Sequence, residues 1–256
     1  MKQFNTIPKF WGLIKELALK TVKLRYKNSV LGFLWSMMNP MIYLVIFTFV
    51  FSYAFPGIDR YPLYALTGLM FWTFFSTSTI QVIESIINNS GVLKSINVPT
   101  IAFPLAAQVS SIISLFLSLI PFTILMLVFG LKIGWETLLF IPILFLFACF
   151  TFGVSIILSA LNVYFRDIQL AWSSFMPAIF YSSPIAYTTS VIPAKFLWLV
   201  KLNPLFHFIT ALRDVLYFNM VPSLGQFITI FLLAIVPLAI GGLVFKRLER
   251  GFVSQY

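Results

Sequence analysis

Apolar residues in this chain come in long unbroken windows. The first covers residues 30–55, and no charged residue occurs from Val30 until Asp59. Further windows run over 61–87, 103–129, 138–163, 168–187 and 227–245, the fifth interrupted by Pro177 and Pro184. Each can cross a hydrocarbon core of roughly 30 Å, which takes about 20 residues. A membrane β-barrel shows short segments of alternating polarity instead, and the windows do not alternate. The pattern predicts an all-α polytopic membrane protein with six transmembrane helices.

The polar stretches are as informative as the apolar ones. From Pro8 to Tyr26 the spacing is helical. Phe10, Leu13, Ile14, Leu17, Thr21 and Leu24 fall on one side, and Lys9, Glu16, Lys20, Lys23 and Lys27 on the other. That is a basic amphipathic helix for the membrane interface, with Trp11 at headgroup depth. Between the fifth and sixth windows, residues 182–224 are apolar but broken by Pro184, Pro193, Pro204 and Pro222. The pieces 194–202 and 205–219 are too short to span and carry Lys201, Arg213 and Asp214, so they read as re-entrant or interfacial helices. Asn88-Asn89-Ser90-Gly91 ends the second window with cap- and turn-forming residues. Val92, Leu93 and Ile96 then surround Lys94, a short apolar piece suited to docking against a partner.

Charge sets the orientation. Residues 1–27 hold seven of the seventeen Lys and Arg. With the N-terminus and an even number of spans inside, Lys94, Arg166, Lys246, Arg247 and Arg250 join them, making twelve; Arg60, Lys132, Lys195, Lys201 and Arg213 fall outside, making five. The bias obeys the positive-inside rule and puts both termini in the cytoplasm. It also accounts for the net charge of +10 without nucleic acid. Only 9% of the residues are charged, against roughly 25% in soluble domains, and no polar linker marks a second domain. The first apolar window begins too late and runs too long for a cleaved signal peptide. The single cysteine, Cys149, has no intrachain partner and reads as a small packed residue.

Candidate chemistry is sparse. No Gly-x-x-x-x-Gly-Lys-Ser/Thr loop is present, so this chain has no recognisable ATP phosphate cradle. His207 stands alone, without a metal-binding constellation. No ionisable residue lies clearly in mid-span, where proton- or sodium-driven transporters keep one. Aromatics are abundant, with thirty Phe, ten Tyr and six Trp, and such rings suit the C–H faces of sugars while tolerating sliding.

One stretch is specific. Arg25-Tyr26-Lys27-Asn28-Ser29-Val30-Leu31-Gly32-Phe33-Leu34-Trp35, followed by Asn39-Pro40, closely resembles the start of the first span in ABC type-2 permeases that export polysaccharides. These are the O-antigen, teichoic-acid and capsule exporters, and the O-antigen permeases are the nearest match. Arg166-Asp167-Ile168, Ser183-Pro184-Ile185, Asn203-Pro204 and Arg213-Asp214 fit the same pattern in order. The resemblance covers nearly the whole chain, as a single ABC type-2 transmembrane domain: residues 1–29 an interface helix, 30–256 a six-span permease.

The resemblance implies a non-enzymatic subunit of the bacterial inner membrane. It would work as a homodimer with two separate ATP-binding-cassette subunits, which bind the ATP and magnesium. The expected cargo is an undecaprenyl-diphosphate-linked glycan, with membrane lipids around it. The coupling helix to the ATPase falls on Asn88, Val92, Leu93, Lys94 and Ile96. The outer gate falls on Pro193, Asn203, Pro204, Arg213 and Asp214. Lys23, Arg25 and Lys27 sit where a lipid diphosphate would approach. Trp35, Tyr43, Phe71, Trp72, Tyr181 and Tyr187 are the candidate channel aromatics. Three rival readings stay open: a drug or small-lipid exporter of the same architecture, a non-transporting scaffold for glycan assembly, and a membrane transferase built on His207 and Asp214.

Overall fold

The computed structural model describes residues 7–252 except 26, 28, 30, 33, 54–56, 96–97 and 132. The described residues form helices and no strand. In chain order these are α1 (Ile7–Arg25), α2 (Leu34–Phe51), α3 (Tyr61–Asn88), α4 (Ser90–Ser95), α5 (Ala102–Val128), α6 (Phe140–Tyr164), α7 (Asp167–Ser182), α8 (Leu197–Leu202), α9 (Pro204–Leu216) and α10 (Leu224–Leu248). A single helical turn, Trp135–Leu139, leads into α6. Four helical stretches are long and apolar enough to cross a membrane: Tyr61–Asn88, Ala102–Val128, Trp135–Tyr164 and Leu224–Gly251.

The core is organised on α3. Ordinary membrane helices keep one face for lipid, yet α3 is buried on nearly every side in its first half, from Leu63 to Phe71. It packs against α5, α6, α2, α9 and α7. Phe71, Phe74, Phe75, Phe147, Phe150 and Phe208 interlock at centroid separations of 5.1–6.5 Å across α3, α6 and α9. Aromatic rings bury large areas and prefer these offset and edge-on contacts. A second cluster lies at the α4 end, where Ile86, Ile101, Val163, Phe245 and Phe252 meet. A third joins Ile14 and Ala18 of α1 to Ala102 and Ala106 of α5. Both ends of the described chain therefore lie at the α4 end of the bundle.

α1 keeps the predicted amphipathic division: Ile14 and Ala18 are buried, and Lys15, Glu16, Lys20 and Lys23 are exposed. It is nevertheless part of the bundle, packed on the first turns of α5. Lys9 has no described side chain, and Lys2 lies outside the described residues. The fifth window behaves differently from its apolar length. α7 stops at Ser182, and Ser183 is extended (φ −98°, ψ 135°), because a residue before proline is pushed out of the helical region. Residues 183–187 are thus a strap.

α6 and α10 make the closest helix pair. A Cβ on Gly153 would strike the backbone of Pro237 and Leu238, and one on Gly241 would lie 2.6 Å from the Gly153 carbonyl. Small residues of this kind let membrane helices approach closely. Gly153→Ala should lower the thermal unfolding temperature in detergent, at an overpacking cost of about 1–3 kcal/mol. Gly242→Ala, whose Cβ meets nothing within 4 Å, should leave it unchanged.

Candidate functional site

Four regions carry the sequence-derived candidates. The first is α4. Asn89 closes α3 and opens α4: its Nδ2 donates to the Ser85 carbonyl (2.8 Å), and its carbonyl accepts from Val92 N (3.0 Å). Lys94 is exposed. Val92 and Leu93 are half-buried, and Leu93 packs on the cluster at this end of the bundle. Ile96 lies outside the described residues. Asn88 is exposed and donates to Glu84 Oε2 (3.4 Å), while Gln169 Nε2 donates to Glu84 Oε1. Asn162, fully buried, donates to the Ile83 carbonyl (3.3 Å) and accepts from Gln169 N (3.2 Å). Polar bonds thus tie the foot of α3 to the start of α7.

The second region is polar. Lys23, Arg25 and Lys27 are all exposed, as the basic end of α1 should be. Arg25 Nη1 also donates to Ser114 Oγ of α5 (3.1 Å). Beneath it lies a cleft of about 400 Å³ between α3 and α5, bordered by Trp35. A second cavity of about 490 Å³ continues it toward the α4 end, and the two share Arg25 and Gln81. Sequence reasoning missed Gln81, Ser111 and Ser114. The signal was Thr73, Thr77, Gln81, Glu84 and Asn88, polar residues spaced to share one face of a helix.

The third region is the strap and hairpin at the far end. α8 and α9 are joined at Asn203-Pro204. Asn203 Oδ1 caps α9 by accepting from Leu205 N (3.0 Å), with Pro204 in the first turn, where its missing N–H costs nothing. Asn203 Nδ2 donates to Ser183 Oγ (2.8 Å), pinning the hairpin to the strap. α9 has 13 residues, about 20 Å at 1.5 Å each, too short for a crossing. Pro193 is exposed just before α8 begins. Arg213 is not a water-facing charge, as the outer position assigned to it from sequence implied. It is 3% exposed and stands over the Tyr64 ring at 3.7 Å. Nη1 donates to the Pro184 carbonyl and to Tyr64 Oη (3.0 Å); Nη2 donates to the Tyr64 carbonyl (3.2 Å) and the Ile185 carbonyl. Among the described residues its Nε has no partner. Gly68 is required beneath it, since a Cβ there would meet Nη2 and the Ile185 backbone. Asp214 turns away and accepts from Gln226 Nε2 (3.0 Å); burial raises its carboxyl, and that bond lowers it in part. His207 bonds the Lys201 carbonyl (2.8 Å). The pair proposed for a transferase therefore has two separate sets of partners.

The aromatics do not form one group. Trp72, Tyr181 and Tyr187 come together near Phe180, between α2 and the strap. Trp72 and Phe180 are 5.3 Å apart, and Tyr187 Oη donates to the Tyr181 carbonyl (2.8 Å). Tyr181 is 74% exposed. Tyr43 is exposed one turn before Phe47, and Trp35 stands apart at the polar cleft. Phe71 has no exposed surface and packs on Phe140 and Phe147, so its ring reaches no outer face of the protomer.

The bundle thus carries a short helix with an exposed lysine at one end and a broken hairpin at the other. Residues 12–217 match the ABC-2 type transporter family. The chain belongs to that family. It is 36% and 32% identical to two O-antigen export system permease proteins of Klebsiella pneumoniae, over 95% of this chain and 95% of each relative. It is 29% identical to the corresponding protein of Myxococcus xanthus, again over 95% of both chains. The ABC-2 family and its permease relatives match the resemblance carried by the Arg25–Trp35 stretch.

Removing the Arg213 fork leaves the two strap carbonyls, Pro184 and Ile185, short of donors, at about 1–3 kcal/mol for each orphan. Arg213→Leu should therefore lower thermal stability and open 183–203 to protease, with Gly68→Ala giving the same cleavage. Wild-type cleavage resistance in both variants would mean that Arg213 does not hold the strap.

Proposed function

We propose that this chain is the permease subunit of an ATP-driven exporter of polyprenyl-diphosphate-linked polysaccharide, of the O-antigen kind. The observation that carries the reading is the end-to-end identity to permeases named for O-antigen export. In this reading α2 and α7, with 18 and 16 residues, complete six spans, both termini face the cytoplasm of the inner membrane, and the whole chain is one domain. Two copies pair, and each rests on a cassette ATPase that binds ATP and magnesium, since the sequence carries no phosphate cradle of its own.

α4 is the coupling helix. Its exposed Lys94 meets the ATPase, while half-buried Leu93 carries force into the bundle. Force passes only if the contacts differ between two states, and the Glu84–Gln169 bond makes α7 a follower of that movement. Lys23, Arg25 and Lys27 attract the lipid diphosphate; Arg25 does so with a forked set of donors suited to phosphate. α8 and α9 form the outer gate around Pro193, Asn203, Pro204, Arg213 and Asp214. Trp35, Tyr43, Trp72, Tyr181 and Tyr187 offer ring faces to the glycan.

Two substitutions separate docking from transmission. Lys94→Glu should weaken ATPase binding about tenfold, equivalent to roughly 1.4 kcal/mol, with the membrane fold unchanged. Leu93→Ala should keep the complex but lower glycan exported per ATP. Normal assembly and normal export in both variants would overturn the coupling assignment.

A further inference from the structure

We infer that the cleft between α3 and α5, closed by Arg25, is a lipid-headgroup site that takes a phosphate at its mouth and hydroxyl groups deeper in. The cleft sets a row of polar side chains among apolar ones, where a membrane helix pair should be apolar throughout. Thr73, Thr77 and Gln81 line it from α3, and Ser111, Ser114 and Ser118 from α5. The α3 row continues through Glu84 to Asn88 along the adjoining cavity. Fifteen residues separate Thr73 from Asn88, about 22 Å of helix. A polar slot thus runs from the α4 end to about the middle of α3, closed beyond by Met70. Polar groups at such depth are costly without partners.

The donor set is specific. Ser111 Oγ lies 3.2 Å from both Gln81 Oε1 and the Ala107 carbonyl, so its one proton is shared between them. No described residue accepts from Gln81 Nε2. Ser118 likewise reaches a carbonyl of its own helix, 3.0 Å away, and the Ser111 oxygen keeps a lone pair for an incoming hydroxyl. Arg25 spends one donor on Ser114, and among the described residues no carboxylate pairs with it. A guanidinium held at the edge of a polar slot suits phosphate with two parallel bonds. Glu84, on the adjoining cavity, has both oxygens bonded, to Gln169 and Asn88. An apolar chain alone finds no use for these groups, whereas a phosphate bearing a sugar or polyol does.

That the transported lipid is the occupant rests on the proposed export function; the site itself does not. The test is equilibrium binding of a radiolabelled polyprenyl diphosphate bearing one N-acetylhexosamine to the full chain in phosphatidylcholine nanodiscs. Gln81→Leu and Arg25→Gln should each weaken binding about tenfold, while Lys15→Gln, exposed on α1 and outside the cleft, should stay within about twofold of wild type. Gln81→Glu keeps the acceptor for Ser111 and adds a charge that repels phosphate, so it should lose binding even if Gln81→Leu misfolds. Displacement by equal phosphatidylglycerol would place the bilayer's own lipid in the cleft; resistance to it would place the transported lipid there. Wild-type binding in both Gln81 variants, or an equal loss in Lys15→Gln, would overturn the site and leave the export reading standing. Cleft-dependent binding without any export would do the reverse.

Discussion

A buried guanidinium holds the far end of this protein together. Arg213 comes from a helix too short to cross a membrane, and it holds a strap that has left helical geometry. The strap's carbonyls at Pro184 and Ile185 have no partners in a regular ladder, and the Arg213 fork supplies them. The Tyr64 ring under the guanidinium and the Tyr64 hydroxyl beside it complete the cage. Removing one partner of a buried charge is far costlier than the net value of the pair suggests. The strap is thus held to α3 by this fork together with the Tyr61 and Tyr64 hydroxyls, which donate to the Ala186 (2.8 Å) and Tyr187 (3.1 Å) carbonyls, and Gly68 is there because nothing larger fits.

The opposite end is held by softer means. Leu93 and Phe252 pack on one small cluster, while Glu84, Asn162 and Gln169 connect α3 to α7 by hydrogen bonds. Higher up, Trp172 Nε1 donates to Thr79 Oγ1 (3.0 Å). α7 buries only Met176, so these polar bonds carry much of its attachment. Exchangeable hydrogen bonds therefore hold one end of the bundle and a buried cage holds the other. α3, enclosed on most sides and 28 residues long, is the element that both ends share.

Much of this was legible in the sequence, and the exceptions have physical causes. The long apolar windows gave four helices long enough to cross directly, and the piece 205–219 anticipated α9 to within one residue at its start and three at its end. α4 was visible as a turn followed by apolar residues around Lys94. Apolar length misled at 183–187, because hydropathy does not register the backbone restriction ahead of Pro184. Arg213 was counted among the outer charges and in the gate, but its burial was not legible, since its acceptors come from Tyr64 and residues 184–185, which no local pattern links to it. Phe71 looked like any other aromatic, and only three-dimensional packing separates a core ring from a surface one. The polar row on α3 was present in the spacing but diluted by the hydrophobic residues between its members.

The central claim is that this ABC-2 family member moves a lipid-linked glycan under the drive of a separate ATPase. The direct measurement reconstitutes the chain with its cognate cassette ATPase in lipid nanodiscs. ATP hydrolysis is then read with and without undecaprenyl-diphosphate-linked glycan. Stable co-assembly, with hydrolysis that rises when the glycan lipid is added, is the predicted result. A complex whose hydrolysis ignores the glycan lipid would contradict the cargo, and failure to assemble with the ATPase would contradict the exporter itself.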